Sequence, residues 1–196
     1  MPEFPRQVIE TLRQPMEDGV VTIARAHSSL RFPARFMLVA AMNPTPKGDK
    51  PVDEVGQRTM DRYLSKISGP IIDRIDIHVE VPAVAYRQLS DAARGTDSQT
   101  MRLAVMAARK RQMQRYGEHF KPNSALTGRE LDKLASLDEA GKQLIKSAMS
   151  ELGLSARAYD KIRRVARTIA DLEDCEQVAA HHVAEAISYR LLDRKN

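Results

Sequence analysis

Phe36-Met37-Leu38-Val39-Ala40-Ala41 is an uninterrupted apolar run. Its length and flanks read as a strand apolar on both faces. Such a strand belongs in the middle of a parallel sheet, with hydrogen-bonded neighbours on both edges. That demand constrains the chain more than any other feature, because few other segments can meet it. Val20-Val21-Thr22-Ile23 reads as a strand. Ile75-Asp76-Ile77-His78-Val79-Glu80-Val81 alternates apolar and polar, as a half-buried strand does. Beyond Pro82 no strand signal appears. The expectation is a sheet with too few strands to close its own edges, so that a partner or further chain supplies the neighbours.

The surrounding segments are expected to be helices and loops. Phe4, Val8, Ile9, Leu12 and Met16 recur at helical spacing, and Pro15 predicts an end or kink near Gln14. Glu17-Asp18-Gly19 is a turn signal. The polar stretch from Arg25 to Arg31 separates the first strand from the apolar run. Asn43 to Gly56 reads as a loop, Val55 to Ile67 as a short helix, and Ser68-Gly69-Pro70 as its breaker. Helical patterns then cover 84–94, 98–116, 127–135, 138–152, 156–173 and 178–192. Thr127-x-x-Glu130 fits a capping box, and Gly153 stands where a helix stop is expected. The fold class is therefore α/β followed by all-α: an α/β piece over residues 1–82, then a helical piece over residues 83–196.

Composition narrows the functional classes. Of 196 residues, 42% are hydrophobic and 29% charged, the balance of a globular chain rather than a disordered one. Cys175 is the single cysteine, which excludes an internal disulfide and a cysteine-built zinc site. The expected compartment is the cytoplasm. No apolar run approaches the roughly 20 residues needed to span a bilayer, and the start Met1-Pro2-Glu3-Phe4-Pro5 has no signal-peptide pattern. Residues 1–82 hold 11 basic and 11 acidic side chains, so the net +5 resides in residues 83–196. That excess permits an anionic partner without requiring one.

No nucleophile triad, metal motif or dinucleotide fingerprint is present. Adjacent His181 and His182 do not share a helix face and make a poor metal pair; Cys175 reads as a semi-buried thiol. Three places carry more chemistry. Asn43 ends the apolar run; it could orient a water or a phosphate oxygen, or simply form the turn before Pro44. Arg74 lies between Asp73 and Asp76, as a cation for a phosphate or as part of a surface ion pair. Arg157 follows Ser155, a residue suited to cap a helix N-terminus, and Lys161, Arg163, Arg164 and Arg167 follow in turn. That set is an anion site or a solvated basic face, opposite an apolar stripe of Ile162, Val165, Ile169 and Leu172. The basic stretch from Arg102 to Lys121 reads as an exposed face or as a surface for nucleic-acid phosphates.

Taken in order, these blocks resemble the C-terminal part of the Mg-chelatase-like AAA+ ATPases of the YifB/ComM type. The resemblance rests on Glu3 through Gly19, Phe36 to Pro44, Tyr63 to Val81 and Leu154 to Glu173, and covers essentially the whole chain. It implies the second half of an AAA+ α/β core followed by a helical lid. It implies that Asn43 is the sensor-1 asparagine and that Arg74 is the arginine finger acting in trans on the neighbouring subunit's ATP. It further implies that Arg157 is the sensor-2 arginine. Residues 19–33 match a hairpin inserted before sensor 1, which makes Arg25, His27 and Arg31 the residues to test for DNA contact. For the ComM type it implies a homo-oligomeric ring, a hexamer, using ATP and Mg²⁺ for DNA branch migration in recombination and transformation, with no membrane partner. The nucleotide cradle Gly-x-x-x-x-Gly-Lys-Ser/Thr is absent from the sequence. The family's acidic pair falls upstream of Met1, so the chain is expected to begin inside the ATPase domain, to hold no nucleotide tightly alone and not to hydrolyse ATP alone. The alternative is a non-hydrolysing regulatory or DNA-binding fragment that lends Arg74 to an intact partner.

Overall fold

A computed structural model describes residues 1–43, 45, 54–82, 95–117, 121–190 and 192–193. The helix expected over 84–94 and most of the loop after Asn43 lie outside the described residues. The chain forms two compact units, Met1–Ile75 and Asp76–Asn196. The described residues are mostly helical, with one two-stranded sheet. Among them no helix is long and apolar enough to cross a membrane.

In the first unit, α1 (Arg6–Thr11) and α2 (Arg13–Asp18) are separated at Leu12. The expected break at Gln14 thus falls earlier. A proline lacks the N–H that would bond the carbonyl four residues back, and its ring clashes with that carbonyl. For Pro15 this carbonyl is Thr11's, so the helix yields there and Pro15 occupies the first turn of α2, where no N–H is required. Gly19 closes α2 with φ 64°, a left-handed cap, and its N–H bonds the Pro15 carbonyl at 3.1 Å. A Cβ there would also meet Arg35 Cγ at 3.2 Å. The strands β1 (Val20–Arg25) and β2 (Ser28–Pro33) then pair antiparallel, from Val20↔Pro33 to Arg25↔Ser28, through the turn Ala26-His27.

After α3 (Glu54–Leu64), Ser68-Gly69-Pro70 breaks the helix as expected but also opens a one-turn helix, α4 (Gly69–Ile72), with the proline in its first turn. Ile9, Tyr63, Ile67, Ile71 and Ile72 are buried. The Tyr63 hydroxyl donates to the Glu3 carboxylate at 2.8 Å, and that bond raises the phenol's pKa.

Two expected strands are not formed. Among the described residues, 34–43 and 77–82 join no strand ladder. The Met1 amino group donates to the Ala41 carbonyl at 2.8 Å and the His78 N–H to the Tyr189 carbonyl at 2.8 Å, each an isolated bond. Met37 is 86% exposed and Val39 81%; in the second unit Val81 is 82% exposed. The physical reason is the one the sequence posed: a central strand needs a continuous ladder for its backbone groups, and isolated bonds do not make one.

The second unit builds its own core. The helices are α5 (Ser98–Tyr116), α6 (Gly128–Leu134), α7 (Glu139–Leu152), α8 (Ala156–Leu172) and α9 (Ala180–Ser188), with a 3₁₀ turn at Asn123–Ala125. Their starts follow from local chemistry. Asp97 accepts from the Thr100 N–H at 2.9 Å, Asp138 from Gly141 at 2.7 Å and Ser155 from Ala158 at 3.1 Å. The Glu130 carboxylate accepts from the Thr127 N–H at 3.2 Å, as the capping pattern predicted. A Cβ on Gly141 would meet Asp138 Oδ1 at 2.9 Å, so the glycine leaves room for the cap. Ile145, Ala158, Ile162, Ala166, Ala170, Val183 and Ile187 interlock α7, α8 and α9. One isolated parallel bridge, Leu137↔Val178, appears where no strand was expected. Leu172, placed on the apolar stripe of α8, is 46% exposed.

Candidate functional site

Arg74 follows Asp73, the C-cap of α4, and lies mostly covered, with 11% of its side chain exposed. Its Nη1 donates to the Pro70 carbonyl at 2.7 Å, and its Nη2 forms an ion pair with Glu17 at the end of α2. Glu17 was legible only as part of a turn signal; nothing local marks it as a partner 57 residues away. Asp76, the downstream carboxylate of the Arg74 motif, pairs with Lys161 of α8.

Arg25 and His27 lie together at the hairpin tip, and every residue of β2 is exposed. Register separates the third cation. Arg31 pairs with Thr22, and alternation puts Arg31 on the face opposite Arg25. The Arg25 face carries Val21, Ile23, Leu30 and Phe32, with Ile23, Leu30 and Phe32 about half exposed. Asn43 is exposed just beyond the apolar segment 36–41. Arg157 is exposed in the first turn of α8, beside the Ser155 cap, where the helix end favours an anion. Asn43 and Arg74 belong to the first unit, Arg157 to the second.

The remaining cations of α8 do not form a solvated basic face. Arg163 Nη1 donates to Asp132 at 3.0 Å, and Arg164 Nε to the Leu126 carbonyl at 2.8 Å. Arg167 is 1% exposed and donates to the carbonyls of Glu176 and Cys175, each at 2.5 Å. Guanidinium groups with five donors satisfy chain ends that a helix cannot, so these side chains are structural. Asp171, fully buried, collects Arg167, Arg115 and the Asn123 side-chain amide, the last at 2.7 Å. Burial pushes its carboxyl pKa up, but the hydrogen bonds from Arg115 and Asn123 outweigh that and hold it below the usual carboxylate range. Arg111 of α5 reaches Asp174 at 2.5 Å. Lys121 Nζ donates to Glu130 at 2.5 Å, so three cations of the basic stretch Arg102–Lys121 are engaged internally, which weakens its reading as a nucleic-acid surface.

Glu173, Cys175 and His182 bring ligand-type atoms within 4.8 Å of one another. Both adjacent histidines reach one carboxylate: His181 Nε2 is 3.1 Å and His182 Nε2 3.2 Å from Glu173 Oε2. The Glu173 carboxyl is lowered, chiefly by the His181 hydrogen bond. His182 Nδ1 accepts from the Ala179 N–H at 2.9 Å. That contact puts the neutral ring's proton on Nε2, the atom that faces the cluster, so His182 caps α9 and is not poised to ligate a cation there.

Comparison with known proteins places this architecture. Residues 1–89 match the family described as magnesium chelatase, subunit ChlI, and residues 95–190 match its C-terminal family. The chain belongs to the Mg-chelatase family. It is 41% identical over 197 residues to competence protein ComM of Haemophilus influenzae. It is 39% identical over 198 residues to the uncharacterized protein YifB of Salmonella typhimurium; each alignment covers 99% of this chain. A Mycobacterium bovis protein, Mb2921c, is 35% identical over 191 residues, 96% of this chain. The chain spans 38% of the length of each of these relatives.

Proposed function

We propose that this chain is the finger-and-lid segment of a Mg-chelatase-like AAA+ ring ATPase acting on DNA. The observation that carries this reading is the apolar segment Phe36–Ala41, which joins no strand ladder among the described residues and leaves Met37 86% and Val39 81% exposed. Completed by the rest of an AAA+ core, this segment would become a buried strand, and Asn43 would stand at its carboxyl end, where open α/β sheets bind ligands.

In that setting Arg74 neutralises charge on ATP held by the neighbouring subunit, Asn43 acts as sensor 1, and Arg157 adds a cation at the α8 N-terminus. The triphosphate cradle and the acids that hold Mg²⁺ come from outside these residues. The chain alone is expected to be inactive. The hairpin tip, Arg25 and His27, is the DNA-facing part, with Arg31 on the other face of the same ribbon. A hexameric, cytoplasmic ring working in recombination, as the ComM resemblance implies, is the biological form proposed.

The test is a chimera in which residues 1–196 replace the matching segment of Haemophilus ComM. DNA-dependent ATP hydrolysis is expected, and Arg74→Ala should lower turnover about 10³-fold, the scale of a lost arginine finger. Full turnover in the Arg74→Ala chimera refutes the assignment. Hydrolysis indifferent to DNA and to removal of both Arg25 and His27 refutes the DNA reading.

A further inference from the structure

The Glu17–Arg74 ion pair has no place in the roles above. Glu17 is the penultimate residue of α2, and only Asp18 and Gly19 separate it from the first strand of the hairpin. Its carboxylate engages Nη2 of Arg74, while Nη1 is fixed on the Pro70 carbonyl of α4 at 2.7 Å. Two anchors on two edges define the plane of a guanidinium, which a single contact leaves free to rotate. The arginine is largely covered and the carboxylate about half exposed, so the pair is shielded on one side and open on the other. Glu10, one helix earlier, is not an equivalent: its carboxylate accepts from Arg13 Nη1 at 3.3 Å.

We infer that Glu17 is a positioning residue: it holds the Arg74 guanidinium in the orientation from which it reaches the neighbouring subunit's nucleotide, and it joins the finger to the base of the hairpin. This rests on the reading of Arg74 as a trans-acting finger. The carboxylate does not touch ATP; it acts through the arginine. Removing it should therefore lower turnover and leave the KM for ATP in place, because the finger matters in the transition state more than in ground-state binding.

The experiment uses mixed rings of the ComM chimera. One subunit type has its nucleotide cradle disabled and can only donate a finger; the other carries Arg74→Ala and can only hold ATP. Every productive interface then pairs a donor with a holder. Glu17→Ala on the donor should reduce turnover about tenfold at unchanged KM, the scale of a misplaced catalytic group. Glu17→Gln, which keeps an accepting oxygen without the charge, should recover part of that loss. Glu17→Ala on the holder should not reproduce it. Equal losses on either subunit would reduce Glu17 to a folding role, and no loss on the donor would overturn the proposal outright. If uniform Arg74→Ala rings turn over normally, the finger reading itself fails, whatever Glu17 does.

Discussion

The two units handle their apolar side chains in opposite ways. The second unit buries them among helices whose backbone bonds are internal: Ala158, Ile162, Ala166, Ala170 and Val183 are fully buried. The first unit buries a smaller set around Ile9, Tyr63 and Ile71 and leaves its most apolar run, Phe36 to Ala41, largely in solvent. The contrast follows from hydrogen bonding. A helix satisfies its own N–H and C=O groups and then needs only one face covered. A central strand needs two neighbours before burial becomes favourable at all.

The largest expected effect tests the self-sufficiency of the second unit. Asp171→Ala leaves Arg167 buried without its carboxylate and should cost about 3–5 kcal/mol, read from urea unfolding followed by helical circular dichroism. A loss below that of an ordinary surface substitution would mean that the buried hub does not organise the helices. The pH dependence sharpens the same point. Asp171 has a lowered folded pKa, so the unfolded chain binds more protons in the acid range, and stability falls as pH drops from the ordinary carboxylate range through that lowered value. Asp171→Asn should flatten this acid limb; an unchanged slope would assign it to other carboxylates.

The smallest effect concerns the first unit. Val39→Ser in the isolated chain should change stability by no more than about 0.5 kcal/mol, because the side chain is already exposed. In the ComM chimera the same substitution should destabilise the ring by roughly the 1.5–3 kcal/mol of a buried aliphatic side chain, measured by thermal unfolding. Equal small effects in both would break the comparison and the completed-sheet reading with it.

Much of the helical unit was legible because its signals are local. Thr127, Ser155 and Gly153 mark ends that a one-dimensional reading can find, and α5 begins and ends where periodicity placed it. The candidate site was legible only in part. Arg74, Asn43 and Arg157 stood out by position beside a turn, a strand end and a cap. Glu17 did not, since its partner is distant in sequence. The run of cations on α8 was open to the wrong reading for the same reason: Asp132, Leu126 and Glu176, which receive Arg163, Arg164 and Arg167, come from other elements.

Residue order alone determined most helix positions, the first hairpin strand and the imbalance between strand-like segments and available neighbours, because propensity, capping and periodicity act over a few residues. The second strand, Ser28–Pro33, runs through the stretch read as a polar separator and forms by pairing with the first. Tertiary structure alone decided which charges meet: Arg74 with Glu17, Asp171 with Arg115 and Arg167, and Arg31 turned to the hairpin face opposite Arg25. Ion pairing and sheet register depend on distances across the fold, which spacing along the chain does not encode.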